Sequence, residues 1–178
     1  MKSKLILTGF MGSGKTTVGE ITAALLGCGF IDSDREIIAK GKFKSIAEIF
    51  ENEGEKAFRA MESEIASELA ELNPPLVIAT GGGMITNADN MKNLASNAII
   101  FYLETSFDTI QSRVQKQINE SKLIRPLFSD SAKVKELYEQ RLPLYRKYAQ
   151  VTIQTDNRLP REIAKEIIKS AGIYANQR

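Results

Sequence analysis

The segment that most constrains this chain is Gly9–Thr16, which reads G-F-M-G-S-G-K-T and fits the pattern G-x-x-x-x-G-K-[ST] in full. An apolar run at Lys4–Thr8 precedes it and predicts a buried strand, and apolar residues at helical spacing follow it from Thr17 to Leu26. In a strand–turn–helix of this kind, backbone N–H groups and the helix dipole point at an anion. The segment therefore predicts a loop that binds the phosphates of a nucleoside triphosphate.

Individual residues of this loop have separate expected roles. Gly9, Gly12 and Gly14 allow the left-handed or closely approaching backbone that a phosphate cradle needs. Lys15 can reach the outer phosphates, and the Thr16 hydroxyl can ligate Mg²⁺. The residues expected to contact the nucleotide here are Gly12, Ser13, Gly14, Lys15, Thr16 and Thr17.

The composition narrows the classes of partner and of chemistry. The 178 residues predict one domain, 1–178, and the net charge of +2 gives no argument for a nucleic-acid or membrane partner. No run is long enough to span a bilayer and the amino end is too poor in apolar residues for a signal peptide, so we expect a cytoplasmic protein. Cys28 is the single cysteine, which excludes a disulfide within the chain, and we expect a buried thiol. Because the chain has no histidine, acid–base chemistry must fall to carboxylates, lysine or water.

Strand and helix patterns alternate along nearly the whole chain. Four more short strands are predicted after the first, and five apolar strands separated by helices indicate an α/β fold with a mostly parallel sheet. Pro143 is expected to kink or interrupt the helix that contains it. The predicted strands are 28–31, 76–79, 98–103 and 150–155, and the predicted helices are 33–39, 46–50, 53–72, 87–94, 106–118, 131–148 and one opened by Pro160.

Polar and glycine-rich segments follow the first three strands directly. Ligands of open parallel sheets bind at the carboxyl ends of the strands, and Gly9–Thr16, Asp32 with Asp34, and Gly81–Gly83 all lie there. Near a magnesium–phosphate site, one carboxylate can sit in the outer shell of the metal while the other orients a substrate hydroxyl and accepts its proton. The alternative is that these aspartates cap the next helix.

Three further features could bind a small acidic substrate. Three glycines after a buried strand cost conformational entropy, so Gly81–Gly83 suggests a closely approaching ligand, with a flexible turn as the alternative. Arg59 and Arg141 could hold a carboxylate in a bidentate manner, although either could also be a surface arginine. Arg125, in a polar loop and followed by Pro126, could be a lid residue that offsets charge during phosphoryl transfer.

These pieces together resemble shikimate kinase, within the nucleoside monophosphate kinase branch of P-loop proteins. The resemblance runs from Lys4 to about Ala171 and is carried by an ordered set of segments. It implies a three-layer α/β/α fold with a five-stranded parallel sheet in the order 2-3-1-4-5, a small helical substrate-binding region at about 33–61 and a lid at about 114–130. The segments are G-F-M-G-S-G-K-T, Asp32-Ser-Asp34, Phe58-Arg59, Gly81-Gly-Gly83, Arg125-Pro-Leu and Arg141-Leu-Pro-Leu-Tyr.

The resemblance also implies a reaction and its residues. The reaction is ATP-dependent phosphorylation of the 3-hydroxyl of shikimate, in the pathway to chorismate and the aromatic amino acids, by a monomer. Asp34, Lys15 and Arg125 would be catalytic, and Mg²⁺ would be held by Thr16 and, through water, by Asp32. Shikimate would be bound by Asp34, Arg59, Gly81, Gly82, Gly83 and Arg141, and adenine would be flanked by Arg113 and Arg158.

Other functions were weighed against the same residues. A gluconate kinase of the same fold is the nearest alternative, but a neutral or differently charged substrate would not need both Arg59 and Arg141. A GTPase switch would need a guanine-reading Asn-Lys-x-Asp segment, which the sequence lacks. A non-catalytic relative is disfavoured because Lys15, Thr16, Asp34 and Arg125 are all present. The segment between Arg113 and Arg125 is a few residues longer than in familiar family members, so the shape of the lid is left open.

Overall fold

A computed structural model describes residues 3–121 and 130–175 of the chain. Strands and helices alternate as the sequence predicts, with element bounds within a few residues of those expected. In chain order the elements are β1 (Lys4–Thr8), α1 (Lys15–Leu26), β2 (Gly29–Asp32), α2 (Ser33–Gly41), α3 (Ile46–Asn52), α4 (Gly54–Glu71), β3 (Leu76–Ala79), a 3-10 turn (Met84–Thr86), α5 (Ala88–Ala95), β4 (Ala98–Glu104), α6 (Phe107–Ser121), α7 (Ser131–Tyr148), β5 (Val151–Gln154) and α8 (Pro160–Ala175).

The strands form one parallel sheet in the order β2-β3-β1-β4-β5, which confirms the predicted topology. The three inner strands are almost entirely buried, whereas β2 and β5 lie at the edges and are partly exposed. Because helices cover both faces of a parallel sheet, the inner strands are apolar runs without polar alternation. This arrangement places the carboxyl ends of β1, β2 and β3 side by side.

Side chains of β1 alternate between two hydrophobic clusters, one on each face of the sheet. Ile6 belongs to the larger cluster, which includes residues of α2 to α7, and Leu5 and Leu7 belong to the cluster with α1 and α8. This alternation follows from the period of two along a strand. The sheet is therefore the middle of three layers, as predicted.

Helices α2, α3 and α4 lie between β2 and β3, in the interval where a substrate-binding region was predicted. The Ser45 side chain caps the N-terminus of α3, since the Glu48 N–H donates to Ser45 Oγ at 3.1 Å. At the far end of α4, the Lys4 ammonium donates to the carbonyls of Leu69 (3.2 Å) and Ala70. The Lys4 side chain is buried, and burial lowers its pKa.

Three local expectations need correction. Pro143 does not interrupt α7, which is continuous over Ser131–Tyr148; buried Arg141 and Tyr145 anchor the helix on both sides of the proline. Helix α6 continues to Ser121, so residues 114–121 of the expected lid are helical, and 122–129 lie outside the described residues. The Cys28 thiol is only half-buried at the rim of the cluster with α1 and α8, and burial raises its pKa. Within residues 3–121 and 130–175, every helix is too short or too polar to cross a bilayer.

Candidate active site

The phosphate-binding loop joins the central strand β1 to α1. Gly9, Gly12 and Gly14 all have positive φ angles, of 153°, 80° and 93°, as the sequence predicts. A Cβ at Gly9 would lie 2.9 Å from the Leu103 carbonyl oxygen and 2.9 Å from Ser13 Oγ, so the loop also has no room for a side chain there. Gly14 caps the N-terminus of α1, which directs the positive end of the helix dipole into the loop.

Lys15 and Thr16 occupy the first turn of α1. The Lys15 ammonium donates to the carbonyls of Gly9 (2.9 Å) and Phe10 (3.0 Å). It therefore lies against the loop in which a phosphate would bind. Thr16 Oγ1 donates to Asp32 Oδ2 at 2.6 Å. The other oxygen of Asp32 accepts from the Asp34 N–H at 3.0 Å and caps α2, which is the alternative role weighed from the sequence.

The Thr16–Asp32 pair offers a hydroxyl and a carboxylate oxygen, which are ligands suited to Mg²⁺. Among the described residues there is no cluster of three or more His, Cys, Asp or Glu side chains able to hold a metal alone. A magnesium ion that arrives with a nucleotide does not need such a cluster, because water and phosphate supply most of its ligands. The pair present here therefore fits that ion.

Asp34 lies in the first turn of α2, beside the glycine turn that follows β3. Its Oδ1 is buried and has no hydrogen-bond partner among the described residues. Burial and the neighbouring Asp32 carboxylate raise its pKa to about 6, against the opposing effect of Lys15. A carboxylate with an unused oxygen and a pKa near 6 can accept a proton from a hydroxyl at neutral pH.

The triple glycine leaves space for neighbouring side chains. A Cβ at Gly81 would collide with Asp34 Oδ1, and a Cβ at Gly83 would collide with the Arg59 guanidinium. Positive φ angles are not the reason for glycine here, since none of the three is among the positive-φ residues. The Gly81 N–H donates to Ser33 Oγ at 2.8 Å, so this N–H is engaged within the protein.

Arg59 projects from α4 toward this turn. Its guanidinium pairs with Glu62 one turn along the helix and with Glu55 at 3.1 Å, and its side chain remains 31% exposed. The Glu62 side chain is buried, and burial raises its pKa against the opposing effect of Arg59. Each nitrogen of the guanidinium donates to one of these two carboxylates, and because the group has five N–H donors, some remain for a ligand.

Arg141 reaches the same turn from α7 and is only 7% exposed. Its Nη1 donates to the Gly82 carbonyl at 3.2 Å, while its buried Nε has no partner among the described residues. Burial, together with the charge of Arg59, lowers the pKa of Arg141. Arg59 is paired with two carboxylates, whereas Arg141 forms no ion pair among the described residues, so its charge suits an anionic ligand.

The three arginines expected on the nucleotide side have different settings. Arg113, on α6, donates to the carbonyls of Ser13 (3.3 Å) and Thr155 (2.9 Å) and so lies against the phosphate loop. Arg158 donates to the Gln154 carbonyl at 2.8 Å and pairs with Glu166 at 2.6 Å. Arg125 lies outside the described residues.

Comparison with known proteins identifies the family. The shikimate kinase family model matches residues 11–171. The chain belongs to the shikimate kinase family. The shikimate kinase of Thermodesulfovibrio yellowstonii is 40% identical over 93% of this chain and 92% of its own length. That of Thiobacillus denitrificans is 42% identical over 86% of this chain and 82% of its own.

Solved structures agree with this family assignment. Shikimate kinase from Acinetobacter baumannii, solved in complex with shikimate, superposes with a TM-score of 0.86 at 39% identity, covering 99% of this chain and 95% of that one. A gluconokinase from Sinorhizobium meliloti has a TM-score of 0.59 at 14% identity over 99% of this chain and 95% of its own. At that identity the likeness to gluconokinase shows the fold alone.

The sequence predicted no role for three residues that the structure places at this candidate site. Glu62 had a detectable signal, because its spacing of three from Arg59 predicts a helical ion pair. Tyr145 follows Arg141 by four residues, which places both on one face of a helix, but the spacing does not reveal what they contact. Ser33 had no signal beyond its position between two aspartates.

Proposed function

We propose that this protein transfers the γ-phosphoryl group of ATP to the 3-hydroxyl of shikimate, giving shikimate 3-phosphate and ADP. The observation that carries the proposal is the placement of Asp34, Arg59 and Arg141 around one glycine turn, beside the phosphate loop with Lys15. Membership of the shikimate kinase family supports the same substrate.

Charge and shape account for the choice of acceptor. The carboxylate of shikimate would lie between the guanidiniums of Arg59 and Arg141, which offer planar pairs of N–H groups. One ring hydroxyl would then point at Asp34. The turn Gly81–Gly83 would border the ring, since glycine lets the backbone approach a ligand closely.

The transfer itself needs two actions from the chain. Asp34 accepts the proton of the 3-hydroxyl as the O3–Pγ bond forms and the bond from Pγ to the β–γ bridging oxygen breaks, with ADP as the leaving group. Lys15 and the N–H groups of the phosphate loop stabilise the charge on the transferring group. Because the transition state is loose, Asp34 need not be strongly basic, which is consistent with a pKa of about 6.

Mg²⁺ would be held by the Thr16 hydroxyl and, through water, by the Asp32 carboxylate. When bound, it would neutralise charge on the β- and γ-phosphates. Arg113 would lie near the adenine side of the nucleotide, a placement its contact with the Ser13 carbonyl supports. Arg158 is offered for the same side, although its guanidinium is already paired with Glu166.

The test is a coupled ADP-release assay with shikimate, gluconate, nucleoside monophosphates and the methyl ester of shikimate offered in parallel. We expect turnover with shikimate alone, and loss of most activity with the ester, because the ester removes the charge that the two arginines would bind. A kcat/KM for gluconate equal to or above that for shikimate would contradict the proposal. Phosphorus NMR of the product identifies the phosphorylated hydroxyl.

A cytoplasmic monomer is part of the same proposal. The monomer rests on the resemblance described above, and the location rests on the expectation drawn from the sequence. Size-exclusion chromatography with light scattering tests the monomer, and fractionation of cells expressing the protein tests its location.

A further inference from the structure

One backbone carbonyl links α7 to the glycine turn after β3. The Gly82 oxygen accepts from Tyr145 Oη at 2.6 Å and from Arg141 Nη1 at 3.2 Å. Both contacts span about sixty residues of sequence, and the tyrosine contact is the shorter one. The oxygen therefore uses both of its lone pairs on side chains of a single helix.

The Tyr145 side chain is held rigidly. It is 0% exposed, and its ring stacks on Tyr102 of β4 with centroids 5.1 Å apart and an interplanar angle of 10°. Burial raises the pKa of Tyr145, so its hydroxyl remains a hydrogen-bond donor at every working pH. The Glu62 carboxylate and the Arg141 guanidinium are its charged neighbours.

Arg141 depends on this tyrosine for its position. It has one 3.2 Å bond to the Gly82 carbonyl, lies beside the Tyr145 hydroxyl and is repelled by the Arg59 charge. Its Nε is buried and unpartnered among the described residues, so the guanidinium still has donors for a ligand. Without the hydroxyl, the only hydrogen bond left between α7 and the Gly82 carbonyl among the described residues would be the 3.2 Å bond from Arg141.

We infer that Tyr145 is a positioning residue for the acceptor: its hydroxyl fixes the Gly82 carbonyl and thereby orients Arg141 and the glycine turn toward the carboxylate of the substrate. This inference rests on the proposed function and adds a residue to it. It assigns Tyr145 no contact with the reacting atoms.

The experiment compares Tyr145→Phe with Tyr138→Phe. Tyr138 is one heptad earlier on α7, and its hydroxyl donates to the Thr105 carbonyl at 3.0 Å, away from the glycine turn. Both variants lose one hydroxyl and keep the ring.

For Tyr145→Phe we expect the KM for shikimate to rise roughly ten-fold, the size of one buried hydrogen bond, with kcat and the KM for ATP within two-fold. Tyr138→Phe should leave the KM for shikimate within two-fold.

Isothermal titration of shikimate without nucleotide gives a second readout. The Kd should rise by the same factor in Tyr145→Phe alone. A purely structural role would lower Tm and the active fraction, and thus kcat, with Kd and KM unchanged; that result would overturn the inference. An equal rise in the KM for shikimate in both variants would also overturn it. If the wild-type protein does not act on shikimate at all, the proposed function fails instead.

Discussion

At the scale of single residues, the environment of Asp34, the proposed base, bears most directly on the proposed activity. Its raised pKa of about 6 arises from burial and from Asp32, and the chain has no histidine that would titrate in the same range. The folded protein therefore pays an electrostatic cost to keep this carboxylate ionised at neutral pH. That cost produces two measurable effects.

The first effect is on the pH dependence of turnover. Because only ionised Asp34 can accept a proton, kcat/KM for shikimate should be level above pH 7 and fall about ten-fold per pH unit below pH 6. The measurement is initial rate against pH at subsaturating shikimate and saturating ATP. A profile that stays flat down to pH 4.5 would argue against Asp34 as the base.

The second effect appears in Asp34→Asn. Because the Asp34 pKa is about 6 in the folded protein and 3.8 in the unfolded chain, wild type loses free energy of unfolding as the pH rises from 3.8 to about 6. The amide of Asp34→Asn does not ionise, so the variant avoids this loss. At pH 8 we expect the variant to have a higher Tm than wild type and a free energy of unfolding greater by up to about 3 kcal/mol, with the gain shrinking toward pH 4. Its kcat should fall by at least about a hundred-fold while ATP binding persists.

Asp89→Asn is the matched control for this variant. Asp89 is also in the first turn of a helix, α5, but its side chain is exposed. It should alter neither kcat nor the pH dependence of Tm. An Asp34→Asn protein that keeps most of its kcat would refute the base assignment.

At the scale of elements, the turn between β3 and α5 is the part where backbone and side chains are most closely fitted. The missing Cβ of Gly83 leaves space for the Arg59 guanidinium, and that of Gly81 leaves space for the Asp34 carboxylate. Gly82 has more room, because the nearest atom to a Cβ there would be the Met11 nitrogen at 3.4 Å. The three glycines are therefore not equivalent.

Gly83→Ala should displace Arg59 without unfolding the protein, because the end of a long side chain can move. We expect the KM for shikimate to rise by about ten-fold or more, with the KM for ATP little changed. Gly82→Ala is the matched variant and should have a clearly smaller effect. Steady-state kinetics on both variants decide this, and a larger effect in Gly82→Ala would contradict the steric argument.

The elements were predictable from sequence to different degrees, for physical reasons. The phosphate loop was predictable because its determinants lie within eight consecutive residues, Gly9–Thr16. The contact between Gly82 and Tyr145 was not, since the two residues are 63 positions apart in sequence and the contact depends on how α7 packs. The interruption predicted at Pro143 was wrong because local backbone chemistry favours a break, whereas the packing of α7 against the rest of the protein keeps the helix continuous.

At the scale of the whole molecule, the two ends of the sheet have different contents. The carboxyl ends of β1, β2 and β3 carry the candidate active site. At the opposite end, the buried Lys4 ammonium on β1 satisfies the carbonyls of Leu69 and Ala70 that close α4. Stability and activity should therefore be separable by substitution at this end.

Lys4→Ala should destabilise the protein by about 2–4 kcal/mol, because it leaves two helix-end carbonyls without a donor and removes a buried alkyl stem. Lys165→Ala, at an exposed position on α8, is the control and should change stability by less than about 0.5 kcal/mol. Chemical denaturation measures both. At low temperature, KM and kcat should match wild type; a selective loss of activity in Lys4→Ala would contradict the separation.

The proposed acceptor site is built from four segments that are distant in sequence, whereas the phosphate loop is one contiguous stretch. The four segments contribute Asp34 on α2, Arg59 on α4, Gly81–Gly83 after β3 and Arg141 on α7. This difference has a consequence for evolvability. Exchanging any one acceptor segment removes a partner from the other three, so single-segment libraries should lose the native acceptor without gaining another. A new acceptor specificity would require coordinated changes in several segments, while the nucleotide half could be inherited unaltered.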